Sequence, residues 1–198
     1  MNAAAVSASF TLECHPQTPF GALRGVDVRM GAAASGSLAL MFSLSGGLSA
    51  LRIPEPRPPR RARELWRHTC FEIFVMAGDG PGYREFNFSP SGEWAVYDFR
   101  GYRDGGELAV DLRPGIRVRM SENRLELDAE IHRDFLPSDR LLRVGLSAVV
   151  EDTDGGLSYW ALRHPPGKPD FHHTDALAFE MEWTSLRKHG DPVHGVRL

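Results

Sequence analysis

Glu72, Glu85, Asn87 and Asp98 are carboxyl and amide side chains set within apolar runs, with Trp94 among them. An aromatic plate beside carboxylates and an amide is the chemistry of carbohydrate recognition. A sugar has apolar C–H faces that stack on Trp, and hydroxyls that need paired donors and acceptors. Two carboxyls on one sheet face are also the pair used in glycoside hydrolysis. Either chemistry requires that these residues share a face, and that is a question of register.

Thr69–Met76 (TCFEIFVM) and Tyr83–Phe88 (YREFNF) read as two strands joined through AGDGPG. One antiparallel parity places Phe71, Ile73 and Val75 beside Arg84, Phe86 and Phe88. Cys70, Glu72 and Phe74 then lie beside Tyr83, Glu85 and Asn87 on the other face. The opposite parity sets Glu72 among Phe86 and Phe88. A slip of one residue flips every side chain, so burial selects the first. A two- or four-residue turn at Ser89–Gly92 then brings Asn87 opposite Trp94, Glu85 opposite Val96 and Tyr83 opposite Asp98. Ala95, Tyr97 and Phe99 join the apolar face. The expected site face therefore carries Glu72, Glu85, Asn87, Trp94 and Asp98, with Glu72 and Glu85 diagonal neighbours about 7–8 Å apart at the backbone. The structural alternative is a Trp94 covered by a loop and a Glu85 paired with a nearby Arg such as Arg100.

The elements that would hold this face are short. Gly36–Leu44, Glu93–Phe99, Ile116–Met120, Arg124–Ile131, Leu141–Val150, Leu157–Leu162 and Leu177–Trp183 join the two strands above, with turn clusters between them. Period-2 alternation with such punctuation predicts antiparallel strands, about ten or eleven in all. The fold class is all-β: an antiparallel β-sandwich, immunoglobulin-like or jelly-roll. His132–Arg140 has room for one helical turn. The expected organisation is a single domain over residues 1–183 and a flexible C-terminal tail over 184–198.

Composition sets the outer bounds. The chain has 198 residues, 42% hydrophobic and 25% charged, which suits one large globular domain. A net charge of −3 offers no global basic field for nucleic acid. Lys168 and Lys188 are the only lysines; every other permanent side-chain cation is Arg. No apolar window approaches the length of a membrane span, and Met1–Ser9 has no secretory pattern, so the expected setting is cytoplasmic. Two cysteines, Cys14 and Cys70, exclude a disulfide scaffold and a four-Cys zinc site. No cofactor or metal is expected, and composition carries no signal for oligomeric state.

Other segments carry weaker signals. Pro54–Arg63 (PEPRPPRRAR) must be a loop, either solvated or used to contact a partner or anion. His164–His173 (HPPGKPDFHH) could lid a pocket with Lys168, Asp170 and His172 reaching a ligand, or be an ordered crossover with Asp170 capping a turn. Glu151–Gly156 reads as a hairpin turn rather than a Ca²⁺ loop. Cys70 reads as a small buried residue. Haem would draw on His68, His164, His172 or His173 with Met76, without a C-x-x-C-H motif.

Leu65-Trp66-Arg67-His68-Thr69-Cys70-Phe71-Glu72-Ile73-Phe74-Val75, then Tyr83-Arg84-Glu85-Phe86-Asn87-Phe88-Ser89-Pro90-Ser91-Gly92-Glu93-Trp94, resembles the DOMON-like and family-9 carbohydrate-binding-module superfamily. Ser158-Tyr159-Trp160-Ala161-Leu162-Arg163-His164 with Pro169-Asp170-Phe171-His172 resembles its bacterial DOMON-like subgroup of unknown role. The resemblance spans about residues 5–183. It implies a β-sandwich that binds sugar or haem. Carried over, it implies Trp66, Trp94 and Trp160 as stacking residues, and Glu72, Glu85, Asn87 and Arg100 as hydroxyl partners. The expected function is non-catalytic binding of a small, sugar-like ligand, with no nucleic acid and no membrane as partner. The alternatives are a glycoside-processing enzyme using Glu72 and Glu85, a haem-binding redox domain, and a partner-binding module using the Arg-rich loop.

Overall fold

The computed structural model describes residues 7–33, 35–78, 80–108, 110, 113–137 and 141–183. The expected tail over 184–198, and the first six residues of the expected domain, lie outside them. The described strands are β1 (Ser7–Cys14), β2 (Leu23–Ala32), β3 (Leu38–Gly46), β4 (Cys70–Ala77), β5 (Tyr83–Phe88), β6 (Trp94–Gly101), β7 (Asp104–Glu107), β8 (Gly115–Ser121), β9 (Arg124–Ile131), β10 (Leu141–Glu151), β11 (Leu157–Ala161) and β12 (Phe179–Glu182). A single 3-10 turn at Arg133–Phe135 matches the expected helical turn. Among the described residues, no helix is long and apolar enough to cross a membrane.

Every pairing between strands is antiparallel. One sheet has the order β8-β9-β3-β2-β1, and the other β7-β6-β5-β4-β10-β11. β1 links them, pairing β2 through Ser7–Leu12 and β11 through Glu13 and Cys14. β12 pairs Leu141–Val144 of β10, on the stretch that β11 leaves free. The sheets pack face to face, with Phe42 of β3 stacked on Phe71 of β4 at 5.0 Å between ring centroids. This is the all-β sandwich of jelly-roll type that the alternation predicts.

The parity of β4 against β5 is as expected. Glu72 pairs with Asn87, Ile73 with Phe86, and Phe74 with Glu85. Phe71, Ile73, Val75, Phe86 and Phe88 lie in the inter-sheet core. The parity of β5 against β6 is the reverse of the expectation. Phe88 pairs with Trp94, Phe86 with Val96, and Glu85 with Tyr97. The cause is the turn. The Ser89 N–H donates to the Glu93 carbonyl at 2.9 Å, which leaves a three-residue loop, Pro90–Gly92. Gly92 has φ +88, the left-handed position that such a loop closes with. An odd loop shifts the register by one residue and turns β6 over. Trp94 and Val96 therefore join the core, while Tyr97 and Phe99 face outward.

The chain between β11 and β12 crosses the outer face of the second sheet. Gly145 of β10 permits the close crossing, since a Cβ there would sit 3.1 Å from the Ala176 carbonyl oxygen. Beneath the crossing lies a second apolar cluster: Phe74, Met76, Tyr83, Val149, Ala161, Phe171 and Leu177. The Pro54–Arg63 loop runs beside β6, with the Ala62 N–H donating to the Trp94 carbonyl at 2.9 Å. Its arginines meet this chain's own carboxylates: Arg60 with Glu93 at 2.7 Å and Arg63 with Glu107 at 2.8 Å. The guanidinium of Arg61 lies 5.2 Å from the centre of the Trp94 ring. These pairings make the loop a structural strap.

Candidate functional site

The outer face of β4, β5, β6, β10 and β11 and the crossing segment enclose a cleft of about 520 Å³. Its floor is polar. Glu72 is 2% exposed and Glu85 is 4% exposed, and both line the cleft. Ser147, paired with Glu72 across β10, donates to Glu72 Oε2 at 3.2 Å. Asn87 is fully buried, and its Nδ2 donates to Glu85 Oε1 at 2.8 Å. The walls are aromatic: Tyr97 and Phe99 from β6, Tyr159 from β11, Phe171 from the crossing and Trp66 from the turn before β4. Trp66 is 43% exposed and lies at the entrance.

The crossing contributes His172, and its anchoring explains how that side chain is held. Asp170 accepts from the Tyr102 hydroxyl at 2.6 Å and from the Arg103 guanidinium at 2.9 Å. It also accepts from the His172 N–H at 3.1 Å, so it caps the local turn as well as latching the crossing. Arg103 has φ 54, a left-handed backbone for which a non-glycine residue costs about 1–2 kcal/mol. That backbone aims its N–H at the Tyr83 hydroxyl, 3.1 Å away. The same hydroxyl lies 2.8 Å from His172 Nδ1, within hydrogen-bond reach. His172 Nε2 faces Glu85 Oε2 at 3.7 Å.

Burial sets the charge of this floor. Desolvation, then the nearby Glu85, pushes the Glu72 carboxyl well above the ordinary carboxylate range, against the Ser147 hydrogen bond. Burial also raises Glu85, to about 7, with Asn87 and Arg103 pulling it down. Burial and then Arg103 lower the His172 imidazole to about 4, so it is neutral at pH 7. Burial and the closeness of the two groups therefore favour a carboxyl proton held on the Glu72–Glu85 pair.

Four of the expected residues line this cleft: Trp66, Glu72, Glu85 and His172. Asn87 is in the floor behind Glu85. Three are elsewhere. Trp94 is in the core because of the odd turn. Trp160 pairs with Ala148 and points inward, its Nε1–H donating to Ser158 Oγ at 3.1 Å; its neighbour Tyr159 takes the outer position. Arg100 is exposed at the end of β6 and pairs with Asp104 at 2.9 Å, while Arg103 is the arginine at the cleft. Asp98 is exposed on the opposite face from Glu85, paired with Arg84 at 3.0 Å. Residues missed outright are Tyr97, Phe99, Arg103, Val149 and Tyr159. Gly92, as a left-handed loop closer, was the signal that could have found the first two.

The candidate haem ligands are dispersed. His68 binds Glu151 at 2.7 Å, His164 meets the Glu13 carbonyl at 2.9 Å, and the His173 side chain caps the turn at Thr174–Ala176. Among the described residues, no cluster of three or more His, Cys, Asp or Glu is placed to hold a metal ion. Asp152 accepts from the Asp154 and Gly156 N–H groups, the hairpin turn expected there.

No family model matches the chain, and no curated protein matches it in sequence. Solved structures match it in shape. A candidate carbohydrate-binding protein from Bacteroides uniformis superposes with a TM-score of 0.63 at 13% identity, over 85% of this chain and 83% of that one. A family-9 carbohydrate-binding module from Caldicellulosiruptor kristjanssonii, in complex with glucose, superposes with a TM-score of 0.52 at 10% identity, over 91% of this chain and 88% of that one. At these identities the likeness is one of fold: this chain shares the β-sandwich of these two structures.

Proposed function

We propose that the protein binds a small carbohydrate or sugar-containing molecule, without catalysis, in the cleft over Glu72 and Glu85. The observation that carries this is the pairing of a carboxyl and amide floor with aromatic walls in one open cleft. Trp66, Tyr97, Phe99 and Tyr159 offer faces for apolar C–H surfaces, and the floor offers acceptors and, at a protonated carboxyl, a donor. The neighbours that share the fold include a module solved with glucose, which supports the class of ligand. Membership of the DOMON-like subgroup is part of the proposal and rests on the segments around Trp66–Glu72 and Tyr159–His172. A cytoplasmic setting belongs to it too, supported by two unpaired thiols, Cys14 and Cys70. The ligand would then be a soluble sugar or a cell-wall fragment.

The test is a tryptophan-fluorescence titration against mono- and oligosaccharides and soluble cell-wall fragments. A saturable change that is absent in Trp66→Ala is expected. No response to any of them, by fluorescence or calorimetry, removes the proposal.

A glycoside-processing enzyme is a second reading, favoured by one observation: two neighbouring buried carboxyls line the same cleft, both raised above the ordinary carboxylate range. Turnover of aryl glycosides that disappears in both Glu72→Gln and Glu85→Gln would establish it. Turnover that survives both would sink it.

A further inference from the structure

Buried carboxylates elsewhere in this chain have cationic partners. Glu93 meets Arg60 at 2.7 Å, and Glu151 meets Arg52 at 2.9 Å. Glu72 and Glu85 are as deeply buried, yet among the described residues no Arg or Lys lies within ion-pair distance of either. Their direct partners are Ser147, Asn87 and a neutral His172. Two buried carboxyls without a cation keep a proton between them, and a ligand ammonium placed against them can take that proton's place. A second observation agrees. Asn87 Oδ1, behind Glu85, is buried without a hydrogen-bond partner among the described residues, an unmet acceptor beside the carboxyl pair. The walls agree as well, since an aromatic enclosure attracts a cation through its ring faces.

The cleft's own cations stay at its mouth. Arg103 is engaged by Asp170, and Lys168 is exposed on the crossing segment. Tyr97 and Tyr159 are the other polar groups of the walls, and burial raises the Tyr97 hydroxyl above its ordinary value. The carboxyl floor and the cationic rim orient a ligand with its ammonium end down.

We propose that the cleft takes a sugar carrying a free primary amine, with its ammonium seated against Glu72 and Glu85 and its ring between the aromatic walls. The inference rests on the sugar-binding proposal above and narrows it to amino sugars. Seating the ammonium favours the ionised floor, so a carboxyl proton passes to the buffer on binding.

Isothermal titration of the full chain with glucosamine, glucose, N-acetylglucosamine and ethanolamine tests it. At pH 7 glucosamine is expected to bind at least tenfold tighter than glucose or N-acetylglucosamine. Its binding heat should change with the ionisation enthalpy of the buffer, and theirs should not. The preference should fall about tenfold toward pH 5.5, as Glu85 takes up a proton below its value of about 7. Glu85→Gln should reduce the preference to under threefold. Equal affinity for all three sugars overturns the amine and leaves the sugar-binding proposal intact. Ethanolamine binding as tightly as glucosamine keeps the ammonium contact and overturns the sugar. Binding of none of the four overturns both.

Discussion

The two faces of the β4–β5–β6–β10–β11 sheet are made by the same strands, yet they are buried by different means. The inner face, with Phe71, Phe86, Phe88, Trp94 and Trp160, is covered by a second sheet and is apolar where it packs except for Ser158, which accepts from the Trp160 indole. The outer face is covered by one crossing segment, and it buries Glu72, Glu85 and Asn87 almost as deeply. Burial alone therefore does not separate core from site here. What separates them is the cover. A second sheet fills the space between it and the first with side chains, whereas a segment latched at Asp170 leaves a cleft. Apolar burial on the inner face stabilises the fold. Polar burial on the outer face opposes it, and is retained where binding can use it.

The largest test of this contrast is Trp94→Ala. It leaves a large cavity between the sheets and should cost about 3–5 kcal/mol in urea unfolding. If the variant loses less than about 1 kcal/mol, Trp94 is not a core residue and the reversed β5–β6 register is wrong.

Glu85→Gln tests the opposite face, and its effect has the opposite sign. Folding raises this carboxyl from 4.5 to about 7. The folded state therefore holds the proton to higher pH than the unfolded chain does. The stability linked to that proton is full below about 4.5 and is lost as pH rises through 7. The neutral amide removes this loss. The variant should be more stable than the parent by about 3 kcal/mol at pH 8, and by little at pH 4. An equal difference at both pH values would show that Glu85 is not held protonated by the fold.

Asp170→Asn addresses the cover and should have the smallest global effect, about 1 kcal/mol or less, because Arg103 is half exposed. Its consequence is local. Amide hydrogen exchange should quicken between Phe171 and Leu177 while that of β4 and β10 stays unchanged. Equal quickening in all three would mean that the crossing is part of the main cooperative unit rather than a separate cover.

The core face of β4 and β5 was legible in the residues because alternation over Phe71–Val75 and Arg84–Phe88 allows one burial-compatible parity. The same reasoning, extended through Ser89–Gly92, misplaced Trp94, Tyr97 and Phe99. A strand with aromatic residues at both parities, such as Trp94-Ala95-Val96-Tyr97-Asp98-Phe99, does not announce which face is core. Trp160 and Tyr159 pose the same ambiguity on β11, and there the bulkier ring turned out to be structural. β1, β2 and β7 had no named counterpart among the alternating runs.

The amino-acid sequence by itself determined an all-β sandwich and brought Glu72, Glu85 and Asn87 to one face, since period-two burial is a local property of a strand pair. Tertiary structure alone decided which aromatic rings stand over them, because the parity of a turn is set by its hydrogen bonding and by Gly92. It also decided that no described Arg or Lys pairs with the two carboxyls and that a segment from far along the chain, carrying Phe171 and His172, lies over them. Those are matters of which distant groups arrive at the site, and neither spacing nor alternation encodes them.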